Sequence, residues 1–155
     1  MQLTPELLER MRAIGLKLDR AGTFWHENTP VTHERLRVAL LRWLDVLDDG
    51  RDIVRLDDKR YAYVDIEDAH LRALSVRWNG DHCLVLWDDG QEEELDYASL
   101  RQAPDHAFYA RARKKLRGRI AGAAQHAVTD RVVEEAGGGF ALDAAGKHWP
   151  IADAA

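Results

Sequence analysis

Two dipeptides constrain this chain more than any other feature in it. Asn79-Gly80 separates the run Leu71–Trp78 from Asp81–Asp88, and Asp89-Gly90 separates that run from Gln91–Asp96. Asn-Gly and Asp-Gly between such runs are strong short-range hairpin signals, because a type I′ turn needs positive φ at both central residues. The stretch therefore reads as three antiparallel strands in a meander.

Upstream, Ile53–Leu56 and Tyr61–Ile66 read as two strands joined by Asp57-Asp58-Lys59-Arg60, with Ala62, Val64 and Ile66 alternating against Tyr61, Tyr63 and Asp65. Leu16–Asp19 and Thr23–His26 flank Arg20-Ala21-Gly22 as a further hairpin, which Asn28-Thr29-Pro30 breaks. A first helix is expected from a cap at Thr4 to Gly15, with Leu7, Leu8, Met11 and Ile14 on one face and Leu3 stapled onto Leu8. A second, capped by Thr32 and stopped by Asp48-Asp49-Gly50, carries Leu36, Leu40, Trp43, Leu44 and Leu47 as a core stripe. Phe108–Arg113 suits a short strand. Leu116–Ala136 reads as one helix with the stripe Leu116, Ile120, Ala123 and Ala127. Gly118 and Gly122 each cost that helix about 1 kcal/mol relative to alanine, so it packs very closely on something or is broken there. Gly137-Gly138-Gly139 ends it, and Phe140–Leu142 with His148–Ile151 make a closing hairpin. The expected fold class is α+β: an N-terminal helix, a small strand/helix lobe, an antiparallel β-meander, a long C-terminal helix and a closing hairpin. Residues 1–155 are expected to form one compact unit, with a soft lobe boundary near Glu67 dividing 16–66 from 67–153.

A chain that is 46% hydrophobic and 32% charged is globular. Cys83 is its one cysteine, which excludes an internal disulfide and a Cys-based zinc site. No run approaches the ~20 apolar residues of a membrane span. The start lacks a basic region followed by an apolar one, so a cytoplasmic location is expected. A net charge of −5 argues against broad binding to nucleic acid or anionic lipid.

The order of motifs resembles a bacterial family known as domain-of-unknown-function family 1285. Gly22-Thr23-Phe24-Trp25-His26-Glu27-Asn28-Thr29-Pro30-Val31 is similar to its G-x-W…P-(V/I) start, and Leu36–Leu47 with Asp49-Gly50 to the helix and Asp-Gly that follow. Asp65–Leu71 resembles its V-E-D-A-P-F segment, Tyr109–Leu116 its Y-x-x-(V/A)-R-x-x-L, and Gly146–Ile151 its closing G-x-x-(F/W)-P-(L/I). The likeness runs from about residue 16 to 151. His70 and Leu71 stand where the family has proline and an aromatic residue, and Ala123-Ala124-Gln125-His126 replaces an aromatic-rich helix start. This marks a divergent branch. The resemblance implies an α+β fold in two lobes and no reaction.

Trp25, Glu67, Asp68, Arg111 and Arg113 are the candidate ligand-binding residues. Glu67 or Asp68 would accept hydrogen bonds from a ligand between the lobes; the favoured structural reading has Asp68 fixing the turn before Leu71. His26-Glu27 and His33-Glu34 invite a metal reading, but the helical spacing that places two imidazoles one turn apart is missing. His82 and Cys83 face opposite ways on a strand, and Cys83 lacks an evident base. Arg111, Arg113, Lys114, Lys115, Arg117 and Arg119 form a basic cluster able to hold phosphate if a helix begins near Lys114. An acidic hairpin, Asp88, Asp89, Glu92, Glu93, Glu94 and Asp96, opposes that cluster, and no aromatics interleave it for nucleic-acid stacking. Trp43 is core by periodicity, whereas Trp25 and Trp149 sit in hairpins where each can line a pocket.

No catalytic constellation, cofactor motif or metal site is read. The first expectation is a non-catalytic binding or accessory module for a small anionic ligand or a partner protein. The alternatives are a small metal-assisted hydrolase using His26, Glu27, Glu67 or Asp68, and a structural protein that forms a homodimer through a sheet edge.

Overall fold

The computed structural model describes residues 5–154. The chain folds as two compact units, Met1–His70 with Lys114–Leu116 and Leu71–Arg113 with Arg117–Ala155. The N-terminal unit comprises α1 (Pro5–Arg12), β1 (Leu16–Leu18), β2 (Phe24–His26), β3 (Thr29–Pro30), α2 (Glu34–Arg42), β4 (Leu44–Val46), β5 (Asp52–Arg55) and β6 (Tyr61–Ile66). Its strands make one sheet in the order β3-β2-β1-β6-β5-β4, antiparallel except where β1 runs parallel to β6. Leu16 and Leu18 point inward while Lys17 points out, as period-two alternation demands. They join Phe24, Leu41, Leu44, Ile53, Val54 and Val64 in the core.

The C-terminal unit comprises β7 (Leu71–Asn79), β8 (His82–Trp87), β9 (Glu92–Glu94), β10 (Arg101–Gln102), β11 (Phe108–Arg111), β12 (Arg117–Ile120), α3 (Gly122–Thr129), β13 (Val132–Glu134), β14 (Phe140–Ala144), β15 (Lys147–Pro150) and β16 (Ala152–Asp153). Seven strands pair in the order β16-β10-β11-β12-β7-β8-β9, and β13-β14-β15 form a separate small sheet. The meander β7-β8-β9 is as expected, and so is the closing hairpin β14-β15.

The expected α+β class is corrected: the protein is mostly β, and helix is confined to short segments. The expected N-terminal helix amounts to the eight residues of α1. Its cap at Thr4, the Leu3–Leu8 staple and the apolar face of Leu7, Leu8 and Met11 lie outside the described residues and side chains. The long C-terminal helix over 116–136 does not form. Its first third is strand β12, inserted between β11 and β7, and its end is strand β13. The two glycines carry the reason. A Cβ on Gly118 would lie 2.2 Å from the ring of Trp87, a fully buried side chain, so this position exists to let the indole lie against bare backbone. Gly122 has φ +61, which a right-handed helix cannot continue through, and α3 starts there afresh. No helix among the described residues is long and apolar enough to cross a membrane.

The second helix is also shorter than its periodicity suggests. His33 caps it in place of Thr32, its Nδ1 accepting from the Leu36 amide at 3.2 Å. It stops at Arg42, with Trp43 as C-cap, and Leu44 enters strand β4. The expected core stripe therefore breaks up. Leu44 is buried, but Leu36 and Trp43 are 44% and 38% exposed, and Leu41 takes the buried helical position.

One loop geometry recurs throughout. The spans Asp19–Thr23, Leu47–Arg51, Trp87–Gln91, Ala103–Ala107 and Glu135–Gly139 each close with the same pair of amide bonds. The fourth residue donates to the first carbonyl, and the first donates to the fifth carbonyl. The fourth residue has positive φ in all five, being Gly22, Gly50, Gly90, His106 and Gly138. That is the three-residue hairpin loop, a type I turn followed by a left-handed residue. In three of them an aspartate at the third position, Asp49, Asp89 or Asp105, accepts the amide two residues on. Asp89-Gly90 is thus the end of a three-residue loop and not a type I′ pair. At Asn79-Gly80 the two loop residues are Gly80 and Asp81, of which only Gly80 has positive φ.

Candidate binding groove

On the N-terminal unit, the β5–β6 hairpin and the end of α2 enclose an apolar groove of about 390 Å³. That volume lies within the ~300–1,000 Å³ of small-molecule sites. Its long wall comes from Val54 on β5, Leu56 just past the end of that strand and Ala62 on β6, paired with Val54. Leu40 and Trp43 supply a second wall, and Ile14 and Arg12 a third. Ile14, Trp43 and Leu56 are 38%, 38% and 56% exposed, a grouping of large apolar side chains in water that needs an explanation.

The β5–β6 turn sets the charge at one end of the groove. Asp57 accepts the amides of Lys59 and Arg60 at 2.9 and 2.8 Å, and its other oxygen holds the Arg60 Nε at 2.7 Å. This bonding pulls the Asp57 carboxyl below its ordinary value, the Arg60 side chain first and the two amides after it. The Arg12 guanidinium lies 3.9 Å above the Tyr61 ring and donates to the Lys59 carbonyl at 3.3 Å. Neither the Lys59 ammonium nor the Arg12 guanidinium meets a carboxylate among the described residues.

The five tryptophans sharpen the contrast. Trp25 donates its indole N–H to Asp19, Trp78 to the Ala127 carbonyl, Trp87 to Glu93 and Trp149 to the Ala144 carbonyl. Trp43 alone has no indole acceptor among the described residues, and it faces the groove. A buried tryptophan N–H finds a partner, but Trp43 is exposed enough that its indole needs no acceptor from the fold. Periodicity assigned Trp43 to the core because the helix was carried one turn too far; its C-cap position is the missed signal.

The residues singled out from sequence fall on both units. Trp25, Glu67 and Asp68 belong to the N-terminal unit, Arg111 and Arg113 to the C-terminal one. Glu67 accepts the Arg20 amide at 3.2 Å and lies 3.9 Å from the Lys17 ammonium, while Asp68 lies 3.5 Å from the Arg20 guanidinium. Both carboxylates thus tie β6 to the β1–β2 hairpin. Trp25 borders a polar trough with Gly15, Lys17, Glu27, Asn28 and Asp65. Arg111 is exposed and gives its amide to the Ser99 hydroxyl at 2.7 Å. Arg113 forms an ion pair with Asp89, whose side chain is fully buried. Strand and 3-10 turn occupy the basic stretch, so the helix start needed for phosphate capture near Lys114 is absent. Burial pushes the Cys83 thiol up to about 12, which keeps it protonated. No group of three His, Cys, Asp or Glu side chains able to hold a metal occurs among the described residues.

Two solved structures share this fold. A DUF1285 family protein from Silicibacter pomeroyi DSS-3 aligns with TM-score 0.76 over 91% of this chain and 81% of its own, at 18% identity. The chain has the DUF1285 fold. A DUF1285 family protein from Shewanella baltica OS155 aligns with TM-score 0.64 over 77% of this chain and 93% of its own, at 15% identity. The resemblance carried by the motifs between residues 16 and 151 therefore holds at the level of fold. No family model matches the chain, and no curated protein matches it. The DUF1285 likeness brings no reaction with it.

Proposed function

We propose that this chain is a divergent DUF1285 member acting as a non-catalytic binding module, with its site in the groove of the N-terminal unit. The observation that carries the reading is the grouping of Ile14, Trp43 and Leu56, three large apolar side chains left in water around one concavity. Leaving a large apolar side chain exposed forgoes about 1.5–3 kcal/mol of burial, so such a grouping is kept where something covers it. The cations at its end favour an anionic occupant. Titration with anilinonaphthalene sulfonate, an apolar anionic fluorophore, tests this. Saturable binding that Leu56→Gln weakens is the expected result; no saturable binding by the folded protein would refute it.

A second reading places a polar ligand in the trough beside Trp25, supported by the convergence of Lys17, Glu27, Asn28 and Asp65 there. It draws less support, because the Trp25 N–H is already given to Asp19 at 2.9 Å.

A further inference from the structure

We infer that the groove is built for a medium-chain monocarboxylate, its acid end held by Arg12 and Lys59 and its tail lying along Leu56, Trp43 and Ile14. The inference rests on the groove being the binding site, and adds to it the class of molecule bound.

Three features of the groove select this class. First, its charge lies at one end. Arg12 and Lys59 are joined through the 3.3 Å bond from the Arg12 guanidinium to the Lys59 carbonyl, and Arg60 follows in the same turn. Leu40 and Trp43 come from the close of α2 and bring no charge. A groove polar at one end and apolar along its walls matches an amphiphile better than a compact polar molecule.

Second, the charge is small. The three cations Arg12, Lys59 and Arg60 share this end with the two acids Asp57 and Asp58, which leaves one net positive charge. Arg60 is occupied by Asp57 at 2.7 Å. One net positive charge balances a monoanion, whereas a dianion would meet the turn's own carboxylates.

Third, backbone donors are spent. The Lys59 and Arg60 amides, the pair in this turn that would cradle a phosphate, both point at Asp57. An anion here is met by side chains alone. The planar guanidinium fork of Arg12 matches a carboxylate, and the Lys59 ammonium on its flexible stem follows it as a point charge.

Calorimetric titration of the full chain with decanoate, decanol and decyltrimethylammonium tests the inference. Decanoate should bind tighter than decanol by up to about fivefold, since an exposed charge contact contributes up to about 1 kcal/mol. The double variant Arg12→Gln/Lys59→Gln should abolish that preference and leave decanol unchanged. Leu56→Gln, at a position 56% exposed and so without core cost, should weaken both ligands together. Circular dichroism of each variant checks folding. Equal binding of decanoate and decanol would overturn the carboxylate assignment while leaving the groove as a binding site. Binding of neither would overturn both. Decanoate binding that ignores all these substitutions would place the acid elsewhere and refute the assignment.

Discussion

The two units treat charged and aromatic side chains in opposite ways. In the C-terminal unit the polar groups that enter the interior are closed against one another. Asp88 accepts both the Arg72 amide at 3.1 Å and its guanidinium at 2.7 Å, and Asp89 holds Arg113. Trp87 is buried with its N–H on Glu93, and Trp149 stacks on Tyr97 at 5.4 Å. In the N-terminal unit, Trp43, Leu56, Ile14, Arg12 and Lys59 are left open around one concavity. Leu74 and Phe140 are exposed on the C-terminal unit, but on separate strands. The contrast between the units therefore lies in where large apolar side chains are left in water: around one concavity in the N-terminal unit, and apart from one another in the C-terminal one.

The sharpest way to break this comparison is to remove a closed partner. Asp89→Ala leaves Arg113 without its carboxylate and should cost about 3–5 kcal/mol in urea denaturation. Arg51→Ala, in the exposed Glu9–Tyr63–Arg51 network of the N-terminal unit, should cost less than about 1 kcal/mol. Similar losses for the two would erase the distinction. Next in size is Gly118→Ala, which forces a methyl into the Trp87 ring and should cost about 1–3 kcal/mol. Gly137→Ala, with nothing within 4 Å of its added Cβ, should be neutral or stabilise by up to about 1 kcal/mol.

The smallest effect concerns pH at an exposed contact of the C-terminal unit. The hydrogen bond to Glu94 raises His82 above its ordinary 6.5, and bonds from Tyr97 and then His82 lower Glu94 below its ordinary 4.5. The histidine's contribution is complete below pH 6.5 and fades as pH climbs through the raised value. The glutamate's is complete above pH 4.5 and is lost as acid protonates it. In a proton NMR titration the His82 ring should titrate above 6.5, and Glu94→Gln should return it toward that value. An unshifted ring would show that this contact does not form in solution.

What was legible in the sequence is what depends on near neighbours. The meander, the strands about Asp57–Arg60 and the closing hairpin follow from alternation and turn residues, both local properties. The class failed where a distant partner decides. Residues 116–136 have a helical pattern of small residues, but Gly118 belongs to the ring of Trp87, thirty-one positions earlier, and no window of sequence around it contains that ring. Asp48-Asp49-Gly50 was legible as a stop, and Asp49 capping Arg51 was available as a hairpin signal in the same pattern as Asp89-Gly90-Gln91. The groove was hidden for a related reason. Leu40, Trp43, Leu56 and Ala62 carry no motif; they are ordinary apolar residues until a helix end and a hairpin bring them together.

The outer strand β9 consists of Glu92, Glu93 and Glu94 and has one free side. A free strand side is a template on which another chain can add itself, and a row of carboxylates repels such an addition. At the margin of the other sheet, β3 ends in Pro30, which has no N–H to offer. One margin is therefore guarded by covalent structure at any pH, the other by ionisation alone. Acid strong enough to neutralise the glutamates weakens the second guard and leaves the first untouched. Ribbon-like self-association through β9 is therefore to be looked for at low pH.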